Sequence, residues 1–191
     1  MSDVKNILLV GVGGQGTILA SKILTSGLME AGYDVKMSEI HGMSQRGGSV
    51  STQVRYGKEV LSPIVGKGSA DVIVAFEKME ALRWLEYLKI GGKMVVNDFE
   101  INPAPVNLGK AEYPEGIIED LEKKCSVLSV KAGELATELG NPKAMNVVLL
   151  GALVKAIGTL DDVDWDKQIE ANVKPKFVEL NKKAFKVGYD L

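Results

Sequence analysis

The sequence has one cysteine, Cys125, and one histidine, His41, in 191 residues. One thiol closes no intramolecular disulfide and cannot hold an iron–sulfur cluster, which takes several cysteines. The same scarcity argues against a zinc site of the usual His/Cys kind, and no metal ligands are predicted. Aromatic residues are 6% of the chain, and no basic stripe carries aromatics between its charges. With a formal net charge of −2, no global field favours nucleic acid or an anionic membrane. No apolar run reaches the roughly 18 residues of a membrane span. Residues 1–6 lead straight into a strand without a secretory pattern, so a cytoplasmic location is expected. The lysine of a Walker phosphate loop is also missing, because Thr17 stands in its place.

What is present is an ordinary globular balance, 46% hydrophobic and 25% charged, sized for a single domain over 1–191. The chain is organised around Gly11-Val-Gly-Gly-Gln-Gly16. It follows the short apolar run Ile7–Val10, of strand length, and precedes a helical start at Thr17. Strand, glycine loop and helix in that order make the G-x-G-x-x-G fingerprint of dinucleotide folds. Gly11 suits the tight turn, Gly13 lets a phosphate approach the backbone, and Gly16 is expected to let the helix pack on the strand. Gly14, Gln15 and Thr17 complete the candidate binding loop, since free N–H groups at a helix start favour an anion.

Asp34–Glu39 reads as a second strand, giving a parallel βαβ opening with a right-handed crossover. Glu39 ends that strand at roughly the 20-residue spacing of a ribose-binding acid. The next segment holds His41, Gly42, Met43, Ser44, Gln45, Arg46, Gly47 and Gly48. It begins where open α/β sheets bind ligands, and Arg46 offers a planar fork of donors for a phosphate or carboxylate. Ser49–Tyr56 alternates like a half-exposed strand, with Gly57-Lys58 as a turn and Glu59–Pro63 returning as its hairpin partner. Further strands are expected at 71–76, 93–97 and 126–130. Helices are expected at 79–88 (closed by Gly91-Gly92), 115–124, 132–139, 146–157, 165–173 and 175–188. Residues 101–109 look irregular. Glu77, Asn97 and Asp98 are read as capping and turn residues, and 146–157 is apolar nearly all round, as a buried helix is. The predicted class is α/β, Rossmann-like, with a mostly parallel sheet, helices on both faces and an antiparallel hairpin extension.

Three stretches together, Gly11–Gly16, Glu39–Val50 and Asn146–Gly151, resemble the gamma-type module of 2-oxoacid:ferredoxin oxidoreductases over nearly the whole chain. The His41–Gly48 wording is similar to the indolepyruvate branch. The resemblance implies oxidative decarboxylation of a 2-oxoacid, an arylpyruvate in this branch, with ferredoxin as acceptor and an acyl-coenzyme A product. It also implies a larger alpha subunit carrying thiamine diphosphate, Mg²⁺ and the iron–sulfur clusters. The chain lacks both the cysteines and the Gly-Asp-Gly…Asn-Asn pattern for those groups. It would be an accessory subunit in a hetero-oligomer, homodimeric if isolated, without catalytic residues of its own. Gly11–Thr17 would contact coenzyme A, and Glu39–Gly48 would close on the partner's active site. Pyruvate or 2-oxoglutarate as substrate, a free-standing NAD-dependent dehydrogenase, and a purely structural subunit remain alternatives.

Overall fold

In the computed structural model, which describes residues 4–42 and 47–191, the first apolar run lies in strand β1 (Lys5–Val12). Ile7, Leu8, Leu9 and Val10 are wholly buried. Burial on both faces is why this strand is continuously apolar rather than alternating. Helix α1 (Thr17–Glu30) follows, and the chain then enters β2 (Asp34–His41) and β3 (Ser49–Gly57). β4 (Ala70–Ala75) leads to α2 (Lys78–Trp84), and β5 (Leu88–Asn97) to a short α3 (Ala104–Asn107) and α4 (Ile117–Glu122). β6 (Ser126–Val130), α5 (Ala132–Glu138), α6 (Met145–Ile157), α7 (Trp165–Asn172) and α8 (Val178–Tyr189) complete the chain.

The six strands form one sheet in the order β2-β3-β1-β4-β5-β6. β1, β4, β5 and β6 pair in parallel, and β3 runs antiparallel between β1 and β2. One face packs Ile7, Leu9, Val54 and Val74 against α1 and α6. The other packs Leu8, Val10, Ile73 and Met94 against α2 and α4. The expected α/β class with helices on both faces is therefore the observed one.

Four local expectations need correction. β1 and β2 run parallel, as expected of the βαβ opening, but are not neighbours: β3 lies between them, with Lys5 opposite Tyr56 and Asp34 opposite Gly57. The antiparallel hairpin is β2–β3, not 49–63. Residues 58–66 form no strand and lie beside β3, where Val65 N–H donates to Gln53 Oε1 (2.6 Å) and Arg55 donates to Ser62 O (2.8 Å). That cover lies over Gln53, while Thr52 shares the opposite face with Val54; both are buried, so β3 is closed on both faces despite its alternating sequence. Finally, α2 stops at Trp84, and Leu88–Gly92 belong to β5, where the register shifts against β4 and Gly91 takes a left-handed φ of 78°. The paired glycines serve a bulge in a strand rather than the end of a helix.

Candidate functional site

The glycine loop sits at the carboxyl end of β1 and is braced from below. Gln15 is buried; its Oε1 accepts from Val12 N–H and its Nε2 donates to Phe76 O, both at 2.8 Å. A Cβ on Gly11 would lie 2.9 Å from the Cβ of Phe76, so this glycine is what lets the loop settle onto the end of β4. The Gln15 side chain is thereby committed to the frame. Gly16 caps α1 at φ 83°. Its missing side chain makes room for α6 and not for the strand, because a Cβ there would meet Asn146 Nδ2 at 2.5 Å. Asn146 Nδ2 donates to Gly16 O at 3.1 Å. α1 begins with no side-chain cap and no acidic residue in its first turn, which leaves its positive end for an anion.

The two loops singled out in the sequence meet. Gly13 N–H donates to Gly48 O at 2.9 Å, and Gly47 N–H to Gly13 O at 3.5 Å. Beside this junction is an open cleft of about 560 Å³ lined by Gly13, Gly14, Thr17, Ile18, His41 and Gly42, among others. Met43, Ser44, Gln45 and Arg46 lie outside the described residues. Glu39 does not line the cleft. Its carboxylate reaches Ser21 Oγ on α1 at 3.4 Å and His41 Nε2 at 3.7 Å. With β3 intervening, Glu39 sits a strand further from β1 than a ribose-binding acid does, roughly 10 Å away rather than 5 Å. This removes the geometric support for a dinucleotide dehydrogenase.

Across the carboxyl ends of the central strands runs a buried polar line that sequence reasoning assigned only to caps and turns. Asn97 is wholly buried; its Nδ2 donates to Phe76 O (3.0 Å) and its Oδ1 accepts from Ala132 N–H (3.1 Å). Glu77 does cap α2, accepting from Glu80 N–H at 2.9 Å. Its other oxygen accepts from Ile101 N–H (3.2 Å) and from the hydroxyl of Tyr113. Glu80, also buried, accepts from Ser49 Oγ at 2.5 Å and pairs with Arg83 at 3.1 Å. No local signal marks Tyr113 or the Glu80–Ser49 bond, since Glu77 lies 36 positions from Tyr113 and Ser49 lies 31 from Glu80.

Tyr113 gives one pH-dependent expectation. Burial, and next the bond to the Glu77 carboxylate, push its hydroxyl pKa up from 10.0. A group whose folded pKa exceeds its unfolded one contributes stability that is whole below the unfolded value and is lost as pH rises past it. The natural chain should therefore lose thermal stability above pH about 10 more steeply than Tyr113→Phe, which should melt lower at neutral pH. Melts across that range check it; parallel curves would show that the hydroxyl carries none of the alkaline loss.

Residues 6–191 match the pyruvate ferredoxin/flavodoxin oxidoreductase family, and the chain belongs to it. It is 43% identical to indolepyruvate oxidoreductase subunit IorB of Pyrococcus horikoshii, over 96% of this chain and 93% of that one. Its fold is similar to the gamma subunit of a keto/oxoacid ferredoxin oxidoreductase from Geobacter sulfurreducens (TM-score 0.76, 24% identity, 99% of this chain and 96% of that one). It is also similar to part of the 2-oxoglutarate:ferredoxin oxidoreductase of Magnetococcus marinus, solved with 2-oxoglutarate, coenzyme A and succinyl-CoA bound. There the TM-score is 0.75 at 21% identity, and the match covers all of this chain but 31% of the longer one. Among the described residues, no helix is long and apolar enough to cross a membrane.

Proposed function

We propose that this chain is the accessory subunit of a cytoplasmic, ferredoxin-dependent oxidoreductase that converts arylpyruvates, indolepyruvate among them, to aryl-acetyl-coenzyme A and CO2. The observation that carries this reading is the 43% identity to an indolepyruvate oxidoreductase subunit along nearly the whole of both chains. The larger alpha subunit would hold thiamine diphosphate with Mg²⁺ and the iron–sulfur clusters, because one cysteine cannot supply cluster ligands. This chain's part would be to bind and orient. The uncapped start of α1 and the glycine backbone lining the cleft fit a phosphate of coenzyme A, and Arg46, in the adjoining loop, would meet an anionic group of the cofactor or of the partner's site.

Two measurements test this. The purified chain alone should be inactive in arylpyruvate oxidation with a dye acceptor, with activity appearing when the larger subunit is added; robust activity from the chain alone sinks the reading. In the reconstituted complex, Arg46→Lys keeps the charge but loses the fork. It should cost on the order of 1.5–3 kcal/mol, or roughly tenfold to a hundredfold in turnover or partner affinity, with subunit melting within about 0.5 kcal/mol. Unchanged activity for both Arg46→Lys and Arg46→Ala would reduce the loop to a connector.

A further inference from the structure

Residues 141–146, a tight turn and the first two residues of α6, stand as a wall between two surface hollows. Pro142 and Met145 line the first, of about 670 Å³. Lys143 and Asn146 line the second, of about 390 Å³. The first is acidic: Asp98, Glu134 and Glu138 line it against one lysine, Lys131, and the exposed ring of Phe99 is part of its wall. The second is basic: Lys143 and Lys174 line it, and no carboxylate does. The exposed ring of Phe177 is part of that wall, and Lys176 holds its Nζ 4.8 Å from the ring centre. Glu138, Lys143 and Lys174 have no partner of opposite charge among the described residues, whereas Glu134 meets Lys131 at 3.3 Å. Both hollows lie on the α6 side of the sheet, because α5 and α8 pack Ala132, Ala136 and Ala184 into the same core.

Such a face is complementary to itself. A two-fold axis running along the 141–146 wall sets the acidic hollow of one copy against the basic hollow of another. The same rotation sets the remaining two hollows together, so both contacts close at once and no open end is left. Each contact brings the Lys176–Phe177 pair to a hollow that offers carboxylates and a second ring, Phe99. Opposite charge steers the encounter and fixes its register, and covering two exposed rings per contact supplies attraction. Setting like hollows together would oppose lysine to lysine, which leaves the crossed arrangement as the attractive one. We propose that this face joins two copies of the chain in a two-fold dimer. The two hollows share no lining residue with the glycine cleft. The dimer contact and the contact proposed for the larger subunit therefore use different residues.

Sedimentation velocity of the full chain over a range of concentrations tests this. The natural chain should pass from monomer to dimer and no further. E134K/E138K and K174E/K176E each set like charges face to face, and each should weaken dimerisation by about a hundredfold or more. An equimolar mixture of the two should dimerise again, because both contacts of the mixed pair are complementary. K58E/K124E reverses the same charge at exposed positions on the α2 and α4 side of the sheet and should dimerise like the natural chain. Melting curves should show every variant folded; E138K alone, a turn further from the start of α5, repeats the test if the double variant melts early. A natural chain that stays monomeric, growth beyond the dimer, or a mixture that stays monomeric overturns the proposal. So does a monomeric natural chain whose binding to the larger subunit both variants break, which gives this face to that subunit. Association is read without turnover, so its failure is separable from failure of the arylpyruvate reading.

Discussion

Gly188→Ala is expected to melt about 10 °C or more below the natural chain. α6 and α8 cross so closely that a Cβ on Gly188 would lie 1.8 Å from Val148 O, and one on Gly151 would lie 2.1 Å from Phe185 O. Both obstacles are helix backbone, which no rotamer change can move. The helices must separate, and α6 is buried along nearly its whole length, so the separation opens the core on that face of the sheet. Overpacking commonly costs 1–3 kcal/mol; with backbone as the obstacle we expect about 3–5 kcal/mol, the exceptional range for one substitution. At about 2–4 °C per kcal/mol for a chain of this length, the shift is large. Gly151→Ala should behave alike. Gly133→Ala is the control: it lies within α5 with nothing within 4 Å of the added carbon, and should gain about 0.5–1 kcal/mol. If Gly188→Ala and Gly133→Ala melt together, the tight crossing contributes nothing.

Asn97→Leu should be the next most damaging change. It fits a similar volume but leaves Ala132 N–H, in the first turn of α5, without its acceptor and removes one of the two amide donors to Phe76 O. Stranding buried polar groups costs about 1–3 kcal/mol each, so about 2–4 kcal/mol is expected, read as a lower midpoint in denaturant with unchanged slope. Asn107→Ala, which removes an exposed amide bond to Asn102 O (2.9 Å), should stay within about 0.5 kcal/mol. Equal midpoints for the two variants would show that the polar line under the site carries no stability.

The parts legible in sequence were those whose signals are local. Ile7–Val10 followed by glycines and Thr17 announced a strand, a loop and a helix, and the nearly unbroken apolar run from Val147 announced a buried helix. The insertion of β3 between β1 and β2 was not legible, because strand order is decided by pairings such as Lys5 with Tyr56, and neither strand's pattern names its neighbour. Gln53 looked solvent-facing because the segment that covers it returns later in the chain without any strand pattern. Gly91-Gly92 is equally suited to a helix stop and a bulge, and only the register against β4 decides. In the site, the two loops were identifiable by composition. Their junction, Gly13 with Gly48, rests on backbone atoms that every residue has, and the tie between Glu77 and Tyr113 spans 36 positions.

The strand order also sets a timetable for synthesis. Both neighbours of β1, β3 and β4, follow it in the chain. A strand with four wholly buried apolar residues is thus made before both of its partners and stays open along its edges until they have emerged, the second of them ending at Ala75. Through that interval an unpaired apolar strand is a template for the wrong pairing. At 5–20 residues per second the exposure lasts roughly 3–15 seconds, and α1, made directly after β1, is the first element available to shield it.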